Sequence, residues 1–217
     1  MNVEQARFNM IEQQIRPWNV LDRRVLSLLA EVKREDFVPP AYKSMAFMDT
    51  EVPLIAGRHM LAPRLEARLL QELRLTGSEK VLEIGTGSGF MAALLGHQAH
   101  RVLTLESDPD LARIATDSLK RAGLSNVTVL PAEGPTGLIG EAPFDAIVLS
   151  GSVAEIPKAL LQQLKVGGRL IAIKGEEPVM RAVLVTRLGE QDYRTVELFD
   201  TIAPRLQGFA EASRFSF

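Results

Sequence analysis

The sequence predicts an α/β protein with a mostly parallel, doubly wound sheet, an antiparallel hairpin at its C-terminal edge and a helical cap at its N-terminus. Three observations predict this fold class. From residue 79 onward, short apolar segments alternate with helical patterns, which is typical of parallel strands covered by helices on both faces. Near the C-terminus, two strand-like segments are joined by a short polar turn. Residues 1–78, in contrast, show mostly helical periodicity.

The composition is that of an ordinary globular domain, and it excludes several classes of function. Of the 217 residues, 46% are hydrophobic and 24% are charged, so the chain is neither disordered nor fibrous. A net charge of −2 gives no electrostatic reason to expect nucleic acid or a membrane as a partner. The absence of cysteine excludes disulfides, thiolate catalysis and cysteine-ligated zinc. With only three histidines, we expect no metal site.

The length and the N-terminal segment lead to further expectations. A chain of 217 residues favours one domain, here residues 1–217, with 1–78 as the helical cap and 79–217 as the α/β core. No apolar run approaches the roughly 20 residues that span a membrane. The first residues are polar and amphipathic, unlike a signal peptide. We therefore expect a cytoplasmic protein.

The cap is predicted to contain three helices. Apolar residues recur at intervals of three and four within residues 3–15, and Pro17 then interrupts the helix because proline cannot continue the hydrogen-bond ladder. Asp22 is placed to cap a second helix, and Pro63 is placed at the first turn of a third. Residues 41–62 show no sustained period and predict an irregular segment.

The core is predicted to contain five strands, three helices and the hairpin. The strands are near-continuous apolar runs, and the second helix has Asp108 as its cap and Gly123 just beyond its end. The predicted strands are 80–84, 101–106, 126–130, 145–149 and 168–173; the helices are 89–97, 109–122 and 156–164; the hairpin strands are 182–188 and 193–199.

A glycine-rich loop after the first core strand is the strongest functional signal. Gly85, Gly87 and Gly89 lie between a strand and a helix, where glycine lets the backbone turn sharply and approach a ligand closely. The next strand ends at Glu106, about 20 residues after the first glycine. A carboxylate at that spacing can accept hydrogen bonds from both hydroxyls of a ribose. This arrangement predicts an adenosine-containing ligand.

The spacing of the glycines favours S-adenosylmethionine over a dinucleotide. A dinucleotide-binding loop has glycine or alanine where this chain has Phe90, because the helix must pack closely against the strand. The P-loop pattern is absent from the sequence. S-adenosylmethionine carries adenosine without phosphate, and Glu83 is a candidate partner for its amino-acid end. A nicotinamide-linked dehydrogenase is the less favoured alternative.

The loop and several further segments resemble a known family. Residues 83–89 resemble motif I of the class I S-adenosylmethionine-dependent methyltransferases, which have a Rossmann-like fold. More of the chain resembles one branch of that class, the protein-L-isoaspartate O-methyltransferases. The resembling segments are 10–15, 32–39, 49, 52–53, 81–89, 126–127, 143–145, 156–157 and 163–170.

The resemblance implies roles for the loop and for three acids. Glu83 and the loop would hold the methionine end of S-adenosylmethionine, and Glu106 would bind the ribose. Glu133, followed by Gly134, would accept a hydrogen bond from the adenine amino group, although the family has the shorter aspartate at that position. The implied loop residues are Gly85, Thr86, Gly87, Ser88 and Gly89.

The segment that faces the methyl acceptor, residues 53–63, departs from the family pattern. Its two prolines and its glycine are retained, but the polar run between them is replaced. Leu61 stands where the family places a serine beside the reacting carboxylate, and leucine has no hydroxyl. This loss predicts that the protein methylates isoaspartyl peptides poorly or not at all while still binding S-adenosylmethionine. We take His59 and Leu61 as the candidate catalytic positions, and Arg58 and Met60 as substrate-facing residues.

The activity that the resemblance implies is methyl esterification of isoaspartyl carboxylates in proteins or peptides, a protein-repair reaction. A carboxylate is already ionised at neutral pH, so this reaction needs alignment and desolvation of the reactants rather than a general base. Two alternatives stay open at this point. One is a methyltransferase of the same family with another acceptor, such as a small molecule. The other is a non-catalytic module that binds S-adenosylmethionine.

Overall fold

The computed structural model of the protein describes residues 2–211, which form two sheets and their covering helices. No helix within these residues is both long and apolar enough to cross a membrane. The α-helices are α1 (Val3–Met10), α2 (Arg23–Glu31), α3 (Pro63–Leu73), α4 (Phe90–Gln98), α5 (Pro109–Arg121) and α6 (Lys158–Gln162). The strands are β1 (Val52–Pro53), β2 (His59–Met60), β3 (Lys80–Ile84), β4 (Arg101–Glu106), β5 (Val127–Pro131), β6 (Phe144–Val153), β7 (Leu164–Glu176), β8 (Val179–Arg187) and β9 (Tyr193–Thr201).

The main sheet has the predicted doubly wound architecture. Its strands lie in the order β5-β4-β3-β6-β7-β8-β9. The first five of these are parallel, and β8 and β9 extend the sheet antiparallel to their neighbours, which confirms the predicted edge hairpin. The chain moves from β3 outward through β4 to β5 and then returns to β6 on the other side of β3. The crevice beyond the carboxyl end of β3 is therefore the place where a doubly wound sheet binds its ligand.

The first helix of the cap is less regular than its periodicity predicts. It is α-helical only over α1, continues as a π-helical turn over Ile11–Ile15 and ends in a 3-10 turn over Arg16–Trp18. Pro17 explains the change, because it supplies no backbone N–H to the ladder. The predicted caps are confirmed: Asp22 accepts from the Arg24 N–H at the start of α2, and Asp108 accepts from the Leu111 N–H at the start of α5.

Other boundaries also differ from the predictions. The helix predicted over 156–164 forms only as α6, because Pro157 precedes its first residue and the chain then enters the long strand β7. Residues 41–62 are irregular as predicted, consisting of 3-10 turns and the short β1–β2 pair. This pair places the 53–63 segment over the carboxyl ends of the core strands, where it shares a cavity with the glycine loop.

Cap and core share one buried hydrophobic cluster. Leu29 of α2 and Leu69 of α3 belong to the same cluster as Leu94 of α4 and Ile171 of β7. All four residues are 0–1% exposed. If either the cap or the core unfolded alone, apolar side chains of the other would become exposed to water. The cap therefore contributes to the same hydrophobic stabilisation as the sheet.

We expect cap and core to unfold in a single cooperative transition, because neither can open without exposing this cluster. Trp18 is the only tryptophan and lies in the cap with its ring 3.9 Å from the Arg64 guanidinium carbon, so its fluorescence reports on the cap. Far-UV circular dichroism reports on the whole chain. Urea titrations followed by the two signals should have the same midpoint; separate midpoints would show that cap and core are independent units.

Candidate active site

A cleft opens at the carboxyl ends of β3, β4 and β6, at the switch point of the sheet. Its walls are formed by the glycine loop, the end of β4, the residues that follow β5, part of β6, the 53–63 segment and the residues that follow β9. Its lining includes Arg58, Gly85, Glu106, Gly134, Ser150 and Leu206. Segments that are far apart in sequence therefore meet at the site that the glycine pattern predicts.

The first glycine of the loop forms the floor of this cleft. Gly85 has a φ of +92°, and a β-carbon built on it would lie 2.5 Å from the Leu206 side chain. A side chain at this position would collide with Leu206, so the close approach of the two residues requires glycine. Gly87 also lines the cleft, whereas Gly89 does not. Gly89 faces α5, and a β-carbon built on it would lie 3.4 Å from the Ala115 side chain. The close packing of α4 against α5 explains why the third position of the loop is a glycine.

Glu106 lies on the cleft wall and holds the loop in place. One oxygen of its carboxylate accepts from the Gly87 N–H at 2.9 Å, and the other accepts from the Asp108 N–H at 3.1 Å. The residue is 4% exposed. Glu106 therefore lies next to the glycine loop, as predicted, and two backbone N–H groups orient its carboxylate.

Glu83 lies beneath the loop in a buried polar cluster. It accepts hydrogen bonds from the Thr104 and Ser150 hydroxyls, each at 2.7 Å, and the Thr86 hydroxyl is 2.6 Å from that of Thr104. Burial raises the pKa of Glu83 to about 8, although both hydroxyl donors favour its ionised form. A cationic group placed beside this buried carboxyl group would favour its ionised form and lower its pKa.

Three further residues of the predicted cofactor site lie in different surroundings. Gly134 lines the cleft, and a β-carbon there would lie 3.1 Å from the Phe209 ring. Glu133 is exposed and its carboxylate lies against Gly208, so it faces the C-terminal segment instead of the cleft. Ser88 accepts from the Phe90 N–H at 3.4 Å and lies outside the main cleft.

Residues 58–61, where the segment departs from the family pattern, divide into two polar residues on the cleft and two buried apolar ones. Arg58 and His59 line the cleft, and the Arg58 guanidinium is 3.4 Å from the Ser107 hydroxyl. Met60 and Leu61 are buried, with exposures of 4% and 3%. The Leu61 side chain is therefore not on the wall of the main cleft.

Sequence reasoning missed the segment after β9, which closes the cleft. It is bound to the end of β6 by hydrogen bonds from the Leu206 N–H to the Ser152 carbonyl and from the Ser152 N–H to the Pro204 carbonyl, at 2.9 and 2.7 Å. Leu206 and Phe209 narrow the cleft to a cavity of about 60 Å³. A nucleoside therefore enters only if these side chains shift.

A buried ion pair next to the cleft was also missed. Arg34 and Glu66 have side chains 1% and 5% exposed, and their closest nitrogen and oxygen are 3.4 Å apart. Arg34 donates to the Leu61 carbonyl at 2.9 Å, and its guanidinium carbon lies 5.2 Å from the centre of the Phe90 ring. The only sequence signal for this pair is an acid beside the apolar face of α3.

The residues of the cleft fit S-adenosylmethionine. The chemistry that an amino-acid end and a ribose need is present in the Gly85 backbone on the cleft lining, the carboxylate of Glu106 at the end of β4 and the buried acid Glu83. Leu206 and Phe209 supply apolar surface to the same space.

Comparison with known proteins supports this assignment. The model of the protein-L-isoaspartate(D-aspartate) O-methyltransferase family matches residues 5–198. A protein-L-isoaspartate O-methyltransferase of Syntrophobacter fumaroxidans is 40% identical over 85% of this chain and 86% of its own. One from Rhodopseudomonas palustris is 40% identical over 88% of each chain.

Two solved structures have the same fold. A protein-L-isoaspartate O-methyltransferase superimposes with a TM-score of 0.79 at 23% identity, over 93% of this chain and 66% of that one. A putative one from Plasmodium falciparum, in complex with S-adenosyl-L-homocysteine, gives a TM-score of 0.75 at 22% identity, over 95% of this chain and 99% of that one.

Fold and relatives together make this protein an S-adenosylmethionine-dependent methyltransferase of class I, as the glycine loop and Glu106 predict. The nicotinamide-linked alternative is thereby excluded. Within this class, the family match over most of the chain and the relatives at 40% identity all point to one branch. The chain belongs to the protein-L-isoaspartate(D-aspartate) O-methyltransferase family.

Proposed function

We propose that the protein transfers a methyl group from S-adenosylmethionine to the free carboxylate of isoaspartyl residues in proteins or peptides. The observation that carries this proposal is the family match over residues 5–198, which includes the cap and the 53–63 segment as well as the cofactor-binding core. A match of the core alone would support only the class of enzyme.

The positions of the cleft residues support the following set of cofactor contacts. Glu106 binds the ribose hydroxyls, and the Gly85 and Gly87 backbones face the methionine end. Glu83 lies beneath that end and stabilises its positive charge. Gly134 faces the adenine, whereas Glu133 reaches it only if its side chain turns away from Gly208.

The chemistry requires positioning more than proton transfer. S-adenosylmethionine supplies a methyl group on a positively charged sulfur, so the acceptor oxygen gains the methyl group as the carbon–sulfur bond breaks. Arg58, on the cleft wall, attracts the acceptor carboxylate, and the neighbouring His59 stands at the entrance. Leu206 and Phe209 exclude water from the cleft, which strengthens the attraction between the carboxylate and the cationic donor.

Labelled methyl transfer to a matched pair of peptides tests this proposal. One peptide contains a single isoaspartyl residue, and its twin contains the ordinary aspartyl residue at the same place. We expect base-labile label in the isoaspartyl peptide and only background in its twin. Equal labelling of the twins would indicate a different acceptor, and binding of S-adenosylmethionine without turnover on any acceptor would indicate a non-catalytic module.

A further inference from the structure

A second, smaller void lies between the glycine loop and the 53–63 segment. Its volume is about 20 Å³, which is enough for one oxygen atom of water size. It adjoins the main cleft, because His59, Gly85 and Ser150 line both. Glu66, on α3, also lines this void.

Glu66 is a buried acid of this void whose hydrogen bonding is incomplete. One of its oxygens has a single long contact, 3.4 Å from the Arg34 guanidinium, and the other has no hydrogen-bond partner among residues 2–211. Two hydroxyl groups around the void are already bonded elsewhere, whereas His59 is exposed. Thr86 is bonded to Thr104, and Ser150 donates to Glu83. A 95%-buried carboxyl group with an unused oxygen therefore faces a space that opens toward the cleft.

We propose that Glu66, in its protonated form, donates a hydrogen bond to the acceptor carboxylate and thereby selects and positions it. This inference rests on the proposed function, because it takes the acceptor to be a carboxylate. One oxygen of the acceptor carboxylate occupies the void, and its other oxygen faces the methyl group of the cofactor. Glu66 thus provides a donor beside Leu61, whose buried side chain has none.

The electrostatics of the site agree with a neutral Glu66. Burial raises its pKa to about 7, and the charge of Arg34 offsets only part of that effect. The ionisable groups around it are Arg34 from the turn after α2, Glu83 of β3 and His59 of β2, with Asp49 acting through Arg34. The Glu66 charge raises the pKa of Glu83, so Glu83 is the acid of this pair that keeps its proton to higher pH.

The sign of the pH dependence follows directly. Below about pH 7, Glu66 carries its proton and can donate to an acceptor carboxylate. Above that value it is negatively charged and repels the same carboxylate. The kcat/KM for the isoaspartyl peptide should therefore fall as pH rises through about 7, by up to about tenfold for each pH unit. The Kd for S-adenosylmethionine should not follow this curve.

The test compares two variants with a control on the same helix. Glu66→Gln keeps the shape and a donor but cannot ionise, whereas Glu66→Leu removes the donor. Glu72→Gln is the control, because Glu72 pairs with Arg68 away from the void. For each protein, kcat and KM for the isoaspartyl peptide are measured from pH 6 to pH 9, in roughly unit steps, and calorimetry gives the Kd for S-adenosylmethionine.

We expect Glu66→Gln to keep activity at low pH and to lose the decline above pH 7, whereas Glu66→Leu should raise KM by about 10- to 100-fold. A decline that persists in Glu66→Gln would overturn the proposal, even if Glu66→Leu fails to fold. Weaker binding of S-adenosylmethionine to Glu66→Gln, with KM for the peptide unchanged, would instead place Glu66 on the cofactor. A parent protein without isoaspartyl activity would refute the proposed function itself.

Discussion

Glu106→Ala is expected to weaken the binding of S-adenosylmethionine by about 1.5–3 kcal/mol, the range for hydrogen bonds to a charged acceptor. Two effects act in the same direction. The variant loses the carboxylate that faces the ribose, and it also releases the Gly87 and Asp108 N–H groups that this carboxylate holds. Isothermal titration calorimetry gives the change in Kd directly.

Asp110→Ala is the matched control for this experiment. It removes an acid only four residues away, on the exposed face of α5, where the carboxylate contacts Arg113 and not the cleft. Its Kd should equal that of the parent. If Glu106→Ala also binds as tightly as the parent, the ribose does not bind at the end of β4. Thermal unfolding of each variant checks that the fold is retained.

Arg34→Met is expected to reduce the free energy of unfolding by about 3–5 kcal/mol at pH 8, because it leaves the Glu66 carboxylate buried without its cationic partner. The pKa of Glu66, already raised to about 7 by burial, should rise further. A raised acid pKa costs stability as pH increases. The deficit relative to the parent should therefore be small near pH 5 and grow through pH 7.

The double variant Arg34→Met/Glu66→Met separates the cost of an unpaired charge from the loss of packing. Replacement of both partners by apolar side chains of similar size should recover most of the stability, since no buried charge remains. Urea unfolding at pH 5 and pH 8 measures all three proteins. If the single and the double variant are equally unstable at both pH values, packing of Arg34 against Phe90 is the dominant contribution instead of the ion pair.

Local patterns were sufficient to predict the sheet. β3 and β4 begin and end at the residues that their apolar runs predict, because a buried parallel strand is apolar along its whole length. The helix caps at Asp22 and Asp108 were also predictable, because each side chain accepts a hydrogen bond from a backbone N–H only two or three residues away. The boundaries of α6 were not predictable from local patterns, because β7 begins only two residues after that helix ends.

The parts of the site that were missed depend on contacts between distant segments. Leu206 reaches the cleft only because the chain after β9 pairs with Ser152, about 50 residues earlier, and no periodicity or glycine pattern marks this pairing. Glu66 looks like a surface acid until α3 is packed against the turn that carries Arg34. The loop and Glu106, in contrast, follow adjacent strands, so their proximity was predictable from spacing.

The central claim is that the methyl group goes to an isoaspartyl carboxylate, and locating the methyl group by mass spectrometry tests it most directly. The substrate is a peptide with one isoaspartyl residue, one aspartyl residue, a lysine and a serine, incubated with the protein and S-adenosylmethionine. Fragmentation should place a single, base-labile methyl group on the isoaspartyl residue. A methyl group on the lysine, the serine or the ordinary aspartyl residue would contradict the claim.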